Sequence, residues 1–392
     1  MFPERFSNLP AYAFPRLRAL LDHHQPGGDV VHMTIGEPRH GFPDWVTDII
    51  TENAADFGRY PPSDGTPELL SAVAGWVKTR FGVTLDAASQ IMSLNGTREG
   101  LYNACTALVP EKKRGEQPLV LLPNPFYQVY MVAAISVNAR PVLVPATRST
   151  GYLPDYSGLP TDMLNRVAAA YICSPSNPQG AVASRDYLRE LIDLAEQFDF
   201  QIFADECYSE IWRNDAPPGA LEVAAEMGAD PDRVVVFHSL SKRSNLPGLR
   251  SGFVAGGAKS IAQMKQLRTY SGAPVPLPLQ AAATAVWQDE VHVDENRRLY
   301  QEKYTAADAI FAGVQGYQGP EAGFFLWLPV DDGETAALKA WQETGVRVLP
   351  GAYLAREVNG HNPGQGYIRA AMVAPKQEMQ QGLTRLRDCI YS

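Results

Sequence analysis

The chain has 392 residues, too many for one ordinary core, so two subdomains are expected. Its 45% hydrophobic and 20% charged composition, free of low-complexity tracts, excludes a disordered chain and points to a globular one. A net charge of −9, from 34 basic and 43 acidic residues with no long basic run, argues against nucleic acid as a partner.

Along the chain, Met1-Phe2-Pro3-Glu4-Arg5 lacks the basic-then-apolar layout of a signal peptide. Ile35-Gly36-Glu37-Pro38 marks a turn, and Gly58-Arg59-Tyr60-Pro61 a loop. Leu94-Asn95-Gly96-Thr97-Arg98 opens a helix predicted over 99–108. Short apolar runs then predict strands at Leu119–Leu122, Ala168–Cys173, Gln201–Ala204, Val234–Phe237 and Phe253–Ala255, with a helix over 186–198 between the second and third. This alternation reads as an α/β fold with a mostly parallel sheet between helices. The runs are far too short to span a bilayer. Past Ala273-Pro274-Val275-Pro276 the texture changes to a charged helical stretch at 289–304 and then to Phe324-Phe325-Leu326-Trp327 and Tyr367-Ile368-Arg369-Ala370. The expected division is a large domain over 46–285 and a smaller α+β domain from 1–45 and 286–392. Cysteines 105, 173, 207 and 389 show no paired spacing, which predicts reduced thiols in a cytoplasmic protein and no metal site.

Polar residues gather just past the strand ends, where open α/β sheets bind ligands. Asn124-Pro125-Phe126-Tyr127 follows the first of the listed strands, Ser174-Pro175-Ser176-Asn177-Pro178 the second, Asp205-Glu206-Cys207-Tyr208 the third, and His238-Ser239-Leu240-Ser241-Lys242 the fourth. Lys242 follows two small hydroxyl residues, Ser239 and Ser241, and precedes Arg250 by eight positions. An amine held out of water near another cation has a lowered pKa and becomes nucleophilic, which is what Schiff-base chemistry on a phosphorylated cofactor needs. Gly96, Thr97 and Arg98 open a helix whose first N–H groups suit an anion, although such a sequence by itself is more often an ordinary helix start.

Together these motifs resemble the class I/II aminotransferases, fold-type-I enzymes that use pyridoxal 5′-phosphate, and the resemblance spans nearly the whole chain. It implies a seven-stranded sheet, a ping-pong transfer of an amino group between an amino acid and a 2-oxo acid, and a homodimer with a shared active site. It implies that Lys242 binds the cofactor covalently and then moves the substrate's proton. Asp205 would pair with the ring nitrogen, Asn177 and Tyr208 would hold the phenolic oxygen, and Tyr127 would stack on the ring, with Phe126 as its competitor. Gly96, Thr97, Arg98, Ser239, Ser241 and Arg250 would bind the phosphate, and Tyr60 would reach the partner subunit's phosphate. Arg369 would clamp the substrate α-carboxylate, with Asn177 and Gly36 beside it.

Ser251 departs from the usual small apolar residue of the lysine motif. It fits the N-succinyldiaminopimelate aminotransferases of bacterial lysine biosynthesis, which Leu9–Leu21 and Ile35–His40 also resemble more narrowly. That resemblance implies glutamate as donor and N-succinyl-2-amino-6-oxopimelate as acceptor. Extra cations near the mouth would suit such a substrate; Arg39 and Arg243 are the candidates, against the plainer reading of each as a solvated surface arginine. The alternatives are an alanine, aspartate or aromatic aminotransferase and a C–S β-lyase, whose first proton abstraction uses the same lysine. A regulator with an aminotransferase-like sensor would need a DNA-binding module ahead of Ile35, for which about 30 residues are too few.

Overall fold

The computed structural model describes residues 4–7 and 9–392; Met1–Pro3 and Asn8, part of the expected N-terminal segment, lie outside the described residues. Seven strands build the main sheet: β1 (Ile91–Leu94), β2 (Leu119–Asn124), β3 (Arg140–Pro145), β4 (Val167–Cys173), β5 (Gln201–Asp205), β6 (Val234–Ser239) and β7 (Gly252–Gly256). Their order is β1-β7-β6-β5-β4-β2-β3. Only β7 runs against the others, pairing antiparallel with β1 and β6.

The apolar runs continue without polar alternation because both faces of the sheet are covered. In β6, Val234 and Val236 face one core while Val235 and Phe237 face the other. Helices before, between and after these strands include, in chain order, α1 (Ala13–Leu21), α2 (Trp45–Glu52), α3 (Pro67–Phe81), α4 (Thr97–Leu108), α5 (Gln128–Ser136), α6 (Arg185–Phe198) and α7 (Leu277–Gln288). Helices α3, α6 and α7 pack on the first face, and α4 and α5 on the second. Local signals fix several ends: Thr66 and Ser184 accept hydrogen bonds from Leu69 and Tyr187 as N-caps of α3 and α6.

A second core gathers Met33, Tyr300, Phe324, Leu328, Ile368 and Leu383. Its frame is a three-stranded antiparallel sheet of β8 (Phe325–Pro329), β9 (Leu349–Pro350) and β10 (Tyr367–Ala371), in the order β9-β10-β8. Around it lie α8 (Val291–Ile310), α9 (Gly333–Thr344) and α10 (Lys376–Ile390). The short parallel pairing of Val31–His32 with Val346–Arg347 ties the N-terminal segment to this core. None of the described helices is long and apolar enough to cross a membrane.

The sequence-based elements are present, several of them longer. The helix expected at 99–108 begins at Thr97, the stretch expected at 289–304 runs from Val291 to Ile310, and β1 and β3 went unpredicted.

Candidate active site

Parallel pairing of β4, β5 and β6 brings their carboxyl ends side by side, so that Cys173, Asp205 and Ser239 open onto one cavity of about 390 Å³. The second core closes its other side with Phe325, Leu349 and Arg369, and the N-terminal segment contributes Tyr12, Phe14 and Gly36.

Lys242 lies in a short helical turn after β6 and lines this cavity, its Nζ donating to the carbonyl of Gly36. Burial above all, opposed by Cys207 and Glu37 and reinforced by Arg369 and Arg250, brings the amine down to about 8. Asp205 is fully enclosed at the end of β5. Burial pushes its carboxyl up, while hydrogen bonds from the Cys207 side chain, from the Tyr130 hydroxyl at 2.6 Å and from the Cys207 N–H at 3.3 Å hold it back. Its charge has donors but no lysine or arginine partner among the described residues.

At another part of the wall, Thr97, Ser239, Ser241 and Arg250 converge. Gly96 is the N-cap of α4, with φ +79° and no capping side chain. A Cβ on it would come 2.1 Å from Arg250 Nη2, so the missing side chain is what lets the guanidinium lie against the loop. Arg250 is held there by the carbonyls of Pro247 and Asn95, at 2.9 and 3.1 Å.

Arg369, on β10, is buried and bonds Asn177 Oδ1 at 2.9 Å and the Thr34 carbonyl at 2.6 Å. Its Nε is buried without a partner and no carboxylate pairs with it among the described residues. Burial lowers the guanidinium to about 10, still charged at neutral pH. Tyr208 and Tyr127 line the same cavity, as does Phe126.

The expected site residues therefore meet at one place, with two exceptions. Gly96 stands behind the wall, against Arg250. Tyr60 is fully exposed and lies off the cavity of its own chain.

Arg243 requires a correction. It is neither a solvated surface residue nor at the mouth: its side chain is 2% exposed, stacked near Trp287 and bonded to Glu290 and the Val286 carbonyl. Arg39 is half exposed and paired with Glu378 at 2.6 Å, away from the cavity lining. The cation at the mouth is instead the side chain of Arg98, exposed, with its Nε on the Tyr127 hydroxyl at 2.8 Å. Tyr130, Cys207 and Glu37 were not singled out in the sequence. Tyr130 stands one helical turn after Tyr127, the only local hint of its position. Among the described residues no group of three or more His, Cys, Asp or Glu is placed to hold a metal ion.

The sequence pattern of the family described as aminotransferase class I and II matches residues 28–386. The chain is a class I/II aminotransferase. Its cofactor is accordingly pyridoxal 5′-phosphate, and its substrates are amino acids and 2-oxo acids. An LL-diaminopimelate aminotransferase from Syntrophobacter fumaroxidans is 32% identical, the alignment covering 99% of this aminotransferase and 98% of that protein. The crystal structure of an aminotransferase from Neisseria meningitidis superposes with a TM-score of 0.94 at 36% identity, covering 99% of each chain. A probable N-succinyldiaminopimelate aminotransferase from Thermus thermophilus gives a TM-score of 0.84 at 24% identity, covering 96% of this chain and all of the other, a likeness of fold alone. The curated relative thus carries the diaminopimelate name without the succinyl group that the sequence motifs suggested.

Proposed function

We propose that this aminotransferase exchanges an amino group between glutamate and a substrate of the LL-diaminopimelate series, free or N-succinylated. The observation that carries the amino-acid reading is the meeting, in one cavity, of a buried amine (Lys242), a buried carboxylate without a cation (Asp205) and a buried guanidinium without an anion (Arg369). A buried charge is costly until its counter-charge arrives, so each marks the place of a complementary ligand group.

The donor set fits pyridoxal 5′-phosphate. The first-turn N–H groups of α4, Thr97, Ser239, Ser241 and Arg250 would hold the phosphate, the fork of Arg250 giving charge-assisted bonds. Asp205 would face the ring nitrogen, Asn177 and Tyr208 the phenolic oxygen, and Tyr127 one face of the ring. When bound, the cofactor supplies an aldehyde for the lysine amine and a protonated ring that draws electrons from the substrate Cα–H bond. Arg369 would take the α-carboxylate bidentately and so fix the direction of that bond, with Asn177 and Gly36 bordering the same group. Lys242 Nζ, neutral in a substantial fraction near pH 8, would accept the Cα proton and return it one position away. Tyr60 would complete the phosphate site of a second subunit, making the working unit a homodimer.

Two supports bear on the substrate. The full-length relative named for LL-diaminopimelate favours the free amino acid, whereas Arg250-Ser251-Gly252 and the 9–21 stretch favour the N-succinyl derivative. Either form carries a second carboxylate, for which Arg98 at the mouth, with no carboxylate partner among the described residues, is a suitable acceptor.

The test is a half-reaction screen on the purified holoenzyme, following the cofactor's absorbance. Glutamate and one diaminopimelate form should convert it fastest, and comparison of free with succinylated substrate decides between the two. Alanine, aspartate or phenylalanine outrunning both would refute the substrate assignment. Pyruvate released from cystathionine without an added oxo acid would instead identify a β-lyase.

A further inference from the structure

Asp205 is fully enclosed, where burial disfavours its charged form, and one buried side chain stands out for the shortness of its bond to the carboxylate. Tyr130, on α5, is fully buried and donates its hydroxyl to Asp205 Oδ2 at 2.6 Å. That is the short distance of a charge-assisted O–H···O⁻ bond. The other carboxylate oxygen takes the Cys207 N–H at 3.3 Å, a longer and weaker contact, and the Cys207 side chain adds a further hydrogen bond to the carboxylate.

The phenol is itself clamped. Its ring stacks on Tyr171 with centroids 4.4 Å apart and planes 11° from parallel, and it meets Tyr127 edge-on at 5.6 Å. Tyr171 is pinned in turn, donating to the Leu101 carbonyl at 2.6 Å with the Cys105 sulfur 3.2 Å away. The Asp205 carboxylate is therefore referred back, through two stacked rings, to the buried side of α4. Burial and the neighbouring carboxylate push the Tyr130 hydroxyl well above its usual range, so it remains a neutral donor at every working pH.

We propose that Tyr130 is a positioning residue of the transamination site, fixing the orientation of the Asp205 carboxylate so that it meets a protonated ring nitrogen as an anion. The same ring contacts Tyr127, so one residue sets both the group facing the nitrogen and the group facing the ring. The inference rests on the reading of Asp205 as the partner of that nitrogen.

The experiment compares apoproteins of wild type, Tyr130→Phe and Asp205→Asn in equilibrium binding of pyridoxal 5′-phosphate and of its 1-deaza analogue, whose ring carries carbon in place of the nitrogen. Removing one charge-assisted hydrogen bond should weaken pyridoxal phosphate binding by about 10- to 30-fold in Tyr130→Phe. Binding of the deaza analogue should stay within about twofold of wild type, because that ligand has no ring proton for Asp205 to meet. The preference for pyridoxal phosphate over the analogue should also vanish at higher pH in Tyr130→Phe as acid is added, since loss of the donor raises the carboxyl's proton affinity. Equal weakening of both ligands would show a merely structural role and overturn the proposal, as would a Tyr130→Phe preference identical to wild type. If Asp205→Asn keeps the full wild-type preference, the Asp205 reading fails and the proposal falls with it. If Asp205→Asn loses the preference and Tyr130→Phe keeps it, the Asp205 reading stands and only the role of Tyr130 is lost.

Discussion

Two buried lysines show how one residue type serves different ends. Lys242 opens onto the cavity, and its amine, lowered to about 8, is half neutral at a pH where a free lysine is almost wholly charged. Covalent capture of pyridoxal phosphate by the apoprotein, trapped with borohydride, should rise with pH and reach half its plateau near 8, and Lys242→Ala should trap nothing. Half-maximal capture near the ordinary lysine value would refute the shift. Lys303, on α8, is 1% exposed and among the described residues has only the Met372 carbonyl as acceptor, at 3.0 Å. Burial, with Arg39 adding to it, brings this amine down to about 7. Between there and the unfolded value near 10.4 the unfolded chain holds a proton that the folded chain does not, so stability rises with pH across that window and the penalty is greatest below it. Lys303→Met keeps the volume and removes the charge, at the expense of the hydrogen bond to Met372. It should be more stable than wild type at pH 7 by roughly 1–3 kcal/mol, and the advantage should shrink toward pH 10. Denaturant melts of the two proteins across pH 6–10 measure the gap; a pH-independent difference would mean that Lys303 titrates normally.

At the scale of elements, the start of α4 shows what a missing side chain does. Gly96 leaves the first turn uncapped and gives Arg250 its seat, so Gly96→Ala should fail twice, by straining a φ of +79° and by displacing the guanidinium. The expected result is pyridoxal phosphate binding weaker by about 10- to 100-fold with the fold retained, read by cofactor titration beside circular dichroism. The sequence announced such elements unevenly. Strands β4, β5 and β6 were legible because burial on both faces demands unbroken apolar runs, and the chemistry-bearing residues follow them directly. Strand β3 was hidden by Pro141 and Pro145, which an edge strand tolerates and a central one does not. The burial of Arg243 was invisible locally, since it depends on Trp76 and Trp287, which come from distant stretches of sequence. Tyr130 was missed for the same reason: its partner Asp205 lies 75 positions on, and nothing in Gln128–Ser136 names it.

For the molecule as a whole, the decisive feature is a cavity closed by the ends of one sheet and by a second core, while a tyrosine expected to serve the phosphate stands outside it. Tyr60 is fully exposed, and Tyr270 and Phe57 are largely so. Aromatic rings left in water in this way mark surface that gains from a partner, and in the proposed homodimer a second copy of the chain would bring its Tyr60 to the cavity of the first, whose own Tyr60 is not part of the lining. Tyr60→Ala should then weaken cofactor binding by about tenfold or more, through loss of a hydrogen bond and its packing, without disturbing Lys242. The assignment can be separated from an effect within one chain by mixing. When Tyr60→Ala subunits are refolded with excess inactive Lys242→Ala subunits, each hybrid has one site that combines an intact Lys242 with the partner's intact tyrosine. That site should regain wild-type cofactor affinity and turnover, so the mixture should exceed the sum of its parents. A mixture that forms hybrids, verified by native mass spectrometry, yet recovers nothing would place the action of Tyr60 within its own chain.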